Sequence, residues 1–479
     1  MRAILMRCSR RIASRQLCTD SKADVAVVGA GHNGLVAAGL LAKQGLKVRV
    51  FEQYDIVGGA CRTEYPFAKA PGLGASTGAY LLGVMPPELL QILELNVPVL
   101  VRDPHYFLPT TGNKYLLCSS NLNEVKQQFE TFFSQEDWKA NQRLQDEVSA
   151  IRDDIAPCWL RPPMPLEETA ERYCRLPDSR GTWAIVEGGM GTVTQRLSHF
   201  AQRQGAVVET GRPVEHVVVR DGSAVGVVTT GGEEVRASVV VVNADPFRLR
   251  EMCRASGGFP AEFDRRLDAM MRDGTSMKVN LALSGLPGFK CLPDDPRVHG
   301  TTIHLLPDEG DVINSFREAY RDAAAGTLPN SPCIEMYIHT ARDPSLRDKE
   351  GRHSAALFVQ WVPFELAESS WEDEAEGYVR HLLSICDRFA PGTSDLVIDD
   401  FTLTPPMIER HFGITRGHIQ HIDNTLGFAD RFPYSTPIPG LYSASAGCHP
   451  AGSVIGCAGH NCAVQVIQDL GLQPAWVVP

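Results

Sequence analysis

The chain has 479 residues, 43% hydrophobic and 22% charged, with a formal net charge of −11. That length exceeds one hydrophobic core and calls for two or three packed units, and the acidic balance argues against general nucleic-acid binding. Thirteen cysteines occur without a Cys-x-x-Cys pair, which offers neither a redox dithiol nor a zinc cluster and reads as buried thiols in a reducing compartment.

Residues 1–19 differ from the rest. Arg2, Arg7, Arg10, Arg11 and Arg15 are interleaved with apolar residues, and no acid precedes Asp20. An Arg-rich, acid-free, potentially amphipathic start is the signature of a mitochondrial transit peptide, so a mitochondrial location, the matrix in particular, is expected. No later stretch holds 18 charge-free apolar residues, so no membrane span is expected.

The segment Ala23 to Glu52 carries the strongest motif. Asp24 to Val28 is a short apolar strand, Gly29, Gly31 and Gly34 follow in GxGxxG spacing, Leu35 to Lys43 is helical, and Lys47 to Phe51 is a second strand closed by Glu52. Gly29 serves the tight turn, Gly31 the approach of a pyrophosphate, Gly34 the packing of helix on strand, and Glu52 the ribose hydroxyls. The helix start supplies free N–H groups for an anion. Gly58-Gly59 and Arg62 come just beyond, where tight backbone and a guanidinium suit a bound nucleotide.

Further along, Pro86 to Leu95 reads as a helix, and Val97 to Val101 and Lys114 to Leu117 read as strands divided by Pro104, Pro109 and Gly112. Asn123 to Phe133 and Trp138 to Asp153 are amphipathic helices, with Val125, Phe129, Phe132, Leu144, Val148 and Ile151 on a 3.6-residue period. This fits a helical insertion over a pocket or ordinary core packing. A short helix is expected near Leu166 to Tyr173. Gly188 to Gly191 leads into a helix from Thr192 to Gln204 and lacks the context of a second dinucleotide fingerprint. Strands at Val214 to Val219, Ala224 to Thr229 and Glu234 to Arg236, divided by Asp221-Gly222 and Gly231-Gly232, form a β-meander. Ser238 to Val242 is apolar throughout and suits a buried parallel strand. Alternating strands and helices from Met277 to Leu403 suggest a second α+β unit.

His418 and His421 are three apart, but no third ligand has suitable spacing, so no metal is expected. Near the C-terminus, Leu441 to Ser445 is a strand, followed by a glycine-rich turn through His449 and Pro450 and a helix from about Gly459 to Leu470. Lys278, on a strand of the second unit, and His418 and His449 are the candidate catalytic residues. Arg431 reads as an anion holder or as one half of an ion pair.

Four stretches taken together, Gly29 to Ala37, Ile56 to Ala60, Gly188 to Gly191, and Cys448 to Asn461, resemble the FAD-dependent amine-oxidase and phytoene-desaturase superfamily over nearly the whole chain. The resemblance implies an α/β fold: a Rossmann-like FAD-binding domain with a β-meander, interleaved with an α+β substrate domain. It implies FAD at Gly29, Gly31, Gly34 and Glu52, with Gly58, Gly59 and Arg62 near pyrophosphate or flavin, Val214 against adenine, and Gly447, Gly452, Val454 and Gly456 beside the isoalloxazine. The expected division is 1–19 transit peptide, 20–120, 181–250 and 431–479 FAD-binding, 121–180 a shortened helical cap, and 251–430 the substrate domain. The family's HPGGGV-type motif reads His449-Pro450-Ala451-Gly452-Ser453-Val454 here, with Ala451 and Ser453 in place of glycines. The span before Gly188 is shorter than in full-length family members.

The resemblance implies an oxidoreductase that dehydrogenates a hydrophobic, polyene or lipid-like molecule, with hydride passing to flavin N5. Peripheral membrane contact is compatible with it. The alternative is a catalytically weak or inactive relative acting as a mitochondrial regulatory or respiratory-chain partner. An NAD-linked dehydrogenase is disfavoured by the meander and the C-terminal motif.

Overall fold

In a computed structural model, the structure describes residues 22–165, 168, 184–307 and 309–477. The expected transit peptide and most of the expected helix near Leu166 to Tyr173 lie outside the described residues. The strands, in chain order, are β1 (Lys22–Val28), β2 (Val48–Phe51), β3 (Val99–Leu100), β4 (Tyr106–Pro109), β5 (Tyr115–Cys118), β6 (Ile185–Val186), β7 (Val207–Glu209), β8 (Val214–Arg220), β9 (Ser223–Thr229), β10 (Glu234–Val242), β11 (Ser276–Leu283), β12 (Thr302–Leu305), β13 (Cys333–Tyr337), β14 (His353–Gln360), β15 (Val397–Leu403) and β16 (Leu441–Ser443).

Two seven-stranded sheets organise the described residues. The first has the order β7-β2-β1-β10-β9-β8, with β16 joining β10. Its centre is parallel: β1 pairs with β2 and β10, Val25 lying opposite Val48 on one side and Val239 on the other. Valine and alanine fill these strands because both faces are covered. The helix His32–Lys43 is buried along most of its length and packs against the helices Gly191–Arg203 and Cys457–Asp469. The meander β8-β9-β10 is antiparallel where β9 meets β10. Glu234 to Arg236 and Ser238 to Val242, expected as two strands, are one: β10 first closes the meander and then runs on beside β1.

The second sheet has the order β15-β11-β14-β13-β12-β4-β5. Strands β4 and β5 come from the stretch expected to belong to the FAD-binding unit, yet β4 pairs in parallel with β12. Each sheet has its own apolar core. The helix Leu122–Phe132 sits on β5, with the Gln128 side chain bridging the Leu117 backbone through both its amide atoms. Val125 and Phe129 are buried there, whereas Leu144, Val148 and Ile151 on the helix Gln135–Ile155 are exposed. Their helical period is therefore not explained by packing within the described residues. No helix among the described residues is long and apolar enough to cross a membrane.

Candidate functional site

A cavity of about 690 Å³ runs from the carboxyl ends of β1 and β2 to the face of the second sheet. Its volume falls within the usual range for small-molecule and cofactor sites. At one end it is walled by backbone. Gly29 and Gly31 border it, and Gly34 stands behind them. A Cβ on Gly34 would lie 2.2 Å from the Gly29 carbonyl oxygen, so only glycine lets the helix His32–Lys43 start this close to β1. Gly58 has φ +131° and its Cβ would meet the Cys61 carbonyl at 2.7 Å, which lets the chain cross directly over Gly31. The first turn of the helix leaves N–H groups without intrahelical partners, aimed where an anion would lie.

Glu52 is buried at the end of β2 and borders the same cavity. One carboxylate oxygen accepts the Ala30 N–H at 2.7 Å and the other the Tyr54 N–H at 3.0 Å. These bonds fix the carboxylate and leave lone pairs free for ribose hydroxyls. Burial raises its pKa, opposed by the backbone bonds and by Arg62. Val214, at the start of β8, borders the cavity on the side expected for adenine. Asn243, just after β10, was not signalled by any motif. It faces Gly29, Gly31 and Gly34 and its amide approaches the Gly29 carbonyl at 3.5 Å.

The opposite end is made of side chains. Across the second sheet, Leu403 and Phe358 flank Lys278, and Glu335 then His304 continue the row. Lys278 is buried. Its Nζ donates to the carbonyls of Ser76 at 2.6 Å and Gly78 at 2.5 Å and lies 5.1 Å and 5.3 Å from the rings of Tyr80 and Tyr337. Those rings stack at 4.0 Å, and Tyr80 donates its hydroxyl to Glu335 at 2.7 Å. Burial pushes the Lys278 pKa well below the ordinary lysine value, opposed by Glu335. Leu403, Ile408, Ile414, Phe412 and Ile419 close this end as a small apolar cluster.

Several expected positions stand elsewhere. Arg62 does not border the cavity. Its guanidinium lies 4.7 Å from the Tyr54 ring and 5.2 Å from the Phe412 ring and ion-pairs with Glu64 at 3.2 Å. The His411 Nε2 sits between the two, 2.9 Å from Arg62 and 3.0 Å from Glu64. Burial would raise the Glu64 pKa, but hydrogen bonds from His411 and Thr77 and the Arg62 charge hold it at about 2. Tyr54 and Phe412 do border the cavity, so Arg62 acts on it from behind, through these rings and through its charge on Glu52.

His418 and His449, expected as catalytic, do not border the cavity either. His449 donates its Nε2–H to the Cys158 carbonyl at 3.0 Å, and burial lowers its pKa to about 4; it ties the segment after the helix Gln135–Ile155 to the C-terminal turn. His418 is half-buried, with burial lowering its pKa. Of the C-terminal residues, Val454 borders the cavity, whereas Gly447 packs against Ile422 and Pro246, Gly452 lies against Gln420, and Gly456 caps the helix Cys457–Asp469. Ser453, standing where the family motif has glycine, takes φ +82° and borders the cavity. Among the described residues Arg431 neither pairs with an acid nor reaches the cavity. It donates to the carbonyls of Ile422, Asp423, Ala446 and Cys448 and so clamps together the two loops that form this wall.

Two histidines that motif reasoning did not assign to the cofactor do line it: His32, the first residue of the helix His32–Lys43, and His421. Among the described residues no group of three His, Cys, Asp or Glu side chains is placed to hold a metal ion.

The glycine cradle, the fixed carboxylate and the anion-directed helix start fit FAD, whose adenosine diphosphate part Gly29, Gly31, Gly58 and Glu52 would hold. Comparison with known proteins agrees. Residues 27–93 match the model of an NAD(P)-binding Rossmann-like domain, and residues 165–270 that of the flavin-containing amine oxidoreductases. The chain is 28% identical to pyridine nucleotide-disulfide oxidoreductase domain-containing protein 2 of Rattus norvegicus, covering 95% of this chain and 94% of that one. The aligned span of 557 positions is longer than this chain, so the rat protein carries internal segments absent here. One of the limonene dehydrogenase polypeptides of Castellaniella defragrans is 23% identical over 95% of this chain and 96% of its own. A structure of putrescine oxidase shares the fold with a TM-score of 0.55 at 18% identity, covering 94% of this chain and 99% of the other.

Proposed function

The chain belongs to the FAD-dependent amine-oxidase superfamily, and on that premise we propose that it is an oxidoreductase that dehydrogenates an uncharged hydrophobic small molecule. The observation that carries this reading is the continuity of one cavity from the nucleotide cradle to an apolar chamber on the second sheet. When bound, FAD would supply the two-electron acceptor chemistry that removal of hydrogen from a substrate C–H requires.

The protein's share is placement and exclusion of water. Phe358, Leu403, Ile408 and Phe412 give a substrate carbon skeleton an apolar bed. Among the described residues, the carboxylates that border the cavity are Glu52, Glu215, Asp245 and Glu251, all contributed from the nucleotide side. The second sheet offers Lys278 instead, so a cationic amine would meet no counter-ion there and an amine nitrogen as neighbour. That favours a hydrocarbon-like substrate, as does the likeness to the limonene dehydrogenase polypeptide. Lys278, fixed by two carbonyls with one Nζ position left, orients the reacting end.

Anaerobic mixing of the flavin-loaded protein with a panel of terpenes, polyenes and unsaturated lipids tests this. Bleaching of the flavin by a member of that panel, and not by putrescine, is the expected result. Flavin that no substrate reduces would move the protein to the alternative, a non-catalytic mitochondrial partner of respiratory-chain proteins. The Arg-rich residues 1–19 support the mitochondrial part of the proposal; import that is unchanged after deletion of residues 1–18 would remove that support.

A further inference from the structure

We infer that His421, with His32 beside it, is a proton-linked anchor for the FAD diphosphate: the pair is neutral in the free protein and takes up a proton as the cofactor's anion arrives. The inference rests on the FAD reading above.

Both side chains line the cavity next to the start of the helix His32–Lys43, where unpaired backbone N–H groups favour an anion. Ser445 Oγ accepts the Gly447 N–H at 2.9 Å and lies 2.9 Å from His421 Nδ1, so its hydroxyl can donate to Nδ1 in the tautomer that carries the imidazole proton on Nε2. Nε2 has no partner among the described residues on a side chain that lines the cavity. His32 Nε2 is likewise without a partner among them. The backbone here is strained: His421 and Ser453 are non-glycine residues at φ +61° and +82°, a feature that persists where surrounding structure holds a group in place for use. Arg431 supplies that hold by clamping the carbonyls of Ile422 and Ala446 on either side.

The electrostatics follow from the neighbours. Burial lowers both imidazoles; His32 is brought to about 4, with His421 lowering it further and a hydrogen bond to the Ser453 backbone opposing the shift. Facing His421 are Asp245, which favours its charged form, and His418 and Arg431, which disfavour it. A diphosphate adds negative charge to this balance, and an opposite charge within about 4–6 Å favours the protonated ring. One proton moves from solvent to one imidazole, and no covalent bond changes. Because that proton is bound only in the complex, FAD binds more tightly as pH falls and is released as pH rises.

The test is calorimetric titration of the flavin-stripped full chain with FAD at pH 6, 7 and 8, in buffers of different ionisation enthalpy. Uptake of roughly one-half to one proton per FAD at pH 7 is expected, with affinity falling up to about tenfold per pH unit on the alkaline side. His421→Gln, which keeps a donor but cannot be charged, is expected to lose at least about half of that uptake. His32→Gln moves it in the same direction and serves if His421→Gln does not fold. Ser445→Ala weakens binding by freeing Nδ1 while leaving the uptake in place. Wild-type binding with no proton uptake, or a variant of either histidine with the full wild-type uptake, would overturn the inference while leaving the FAD reading standing. Failure of the wild type to bind FAD at any pH would remove both.

Discussion

At the nucleotide end of the cavity, Gly29, Gly31, Glu52, Gly58 and Gly59 come from one continuous run of chain and offer mainly backbone. At the apolar end, Tyr80, Lys278, Phe358 and Leu403 come from four distant segments and offer side chains. The first is a cradle defined by how closely main chain can approach a ligand. The second is a row of cross-strand neighbours, Leu403, Lys278, Phe358 and Glu335, defined by sheet register. A cradle tolerates almost no added atom, and its loss removes the cofactor. A row of side chains tolerates exchange of shape for shape, and its loss removes the chemistry while the cofactor stays.

The largest effect that sharpens this contrast is expected from Gly34→Ala. Its Cβ would sit 2.2 Å from the Gly29 carbonyl and 2.9 Å from the Asn243 amide, so the helix start must move away from β1. The protein is expected to purify without flavin and to lose about 1–3 kcal/mol of stability by overpacking, read from flavin content and urea unfolding. Full flavin content would break the cradle account.

Arg62 divides the two regions, since it stands behind the wall and touches neither cofactor nor substrate space. Arg62→Met leaves the Glu64 carboxylate with only His411 and Thr77 as partners, and the loss of one charged partner at this half-buried group costs about 1–2 kcal/mol. Thermal unfolding should show that loss, with FAD affinity in the surviving folded protein changed less than about tenfold. A variant of native stability that has lost FAD would instead place Arg62 on the cofactor.

Lys278→Met should do the reverse of Gly34→Ala. The side chain keeps its length and apolar stem, so flavin content should hold, while substrate-dependent flavin reduction slows about 100-fold, the scale of one positioned polar group. Equal reduction rates in stopped-flow would remove Lys278 from the chemistry.

The smallest effect concerns acid. His339 and His449 are buried, and burial lowers them to about 3 and about 4. Their folded pKa values lie below the unfolded value near 6.5, so the unfolded chain binds protons first and stability falls as pH drops below about 6.5. Between pH 7.5 and 5.5 each should cost about 1 kcal/mol, seen as a lower melting temperature. His449→Gln should shrink that difference, and an unchanged difference would contradict the buried neutral ring bonded to Cys158.

The same contrast explains what could be read in advance. The β1–helix–β2 unit and the meander are local patterns, and glycine spacing, hairpin signals and period-2 runs report them directly. Strand β4 is not local: Pro104 and Pro109 read as separators, and its pairing with β12 joins segments about 200 residues apart. The helix Pro246–Arg254 was legible and missed, since Asp245 accepting from the Phe247 and Arg248 N–H groups, followed by Pro246, is an N-cap with proline at the first position. Lys278 could be placed on a strand, but Tyr80, Tyr337 and Glu335 around it could not, because register and not spacing brings them together. Among the histidines, sequence position favoured His418 and His449, whereas orientation decides: His449 turns to a carbonyl, and His32 and His421 turn to the cavity.

The central claim is that one cavity holds FAD through the cradle built from Gly29 to Gly59. Flavin released by acid from the full-length protein, expressed with excess riboflavin, and identified by chromatography tests it most directly. The account predicts FAD, near one per chain in the wild type and absent from Gly34→Ala. A wild type that carries no flavin and binds none when titrated with FAD would contradict it.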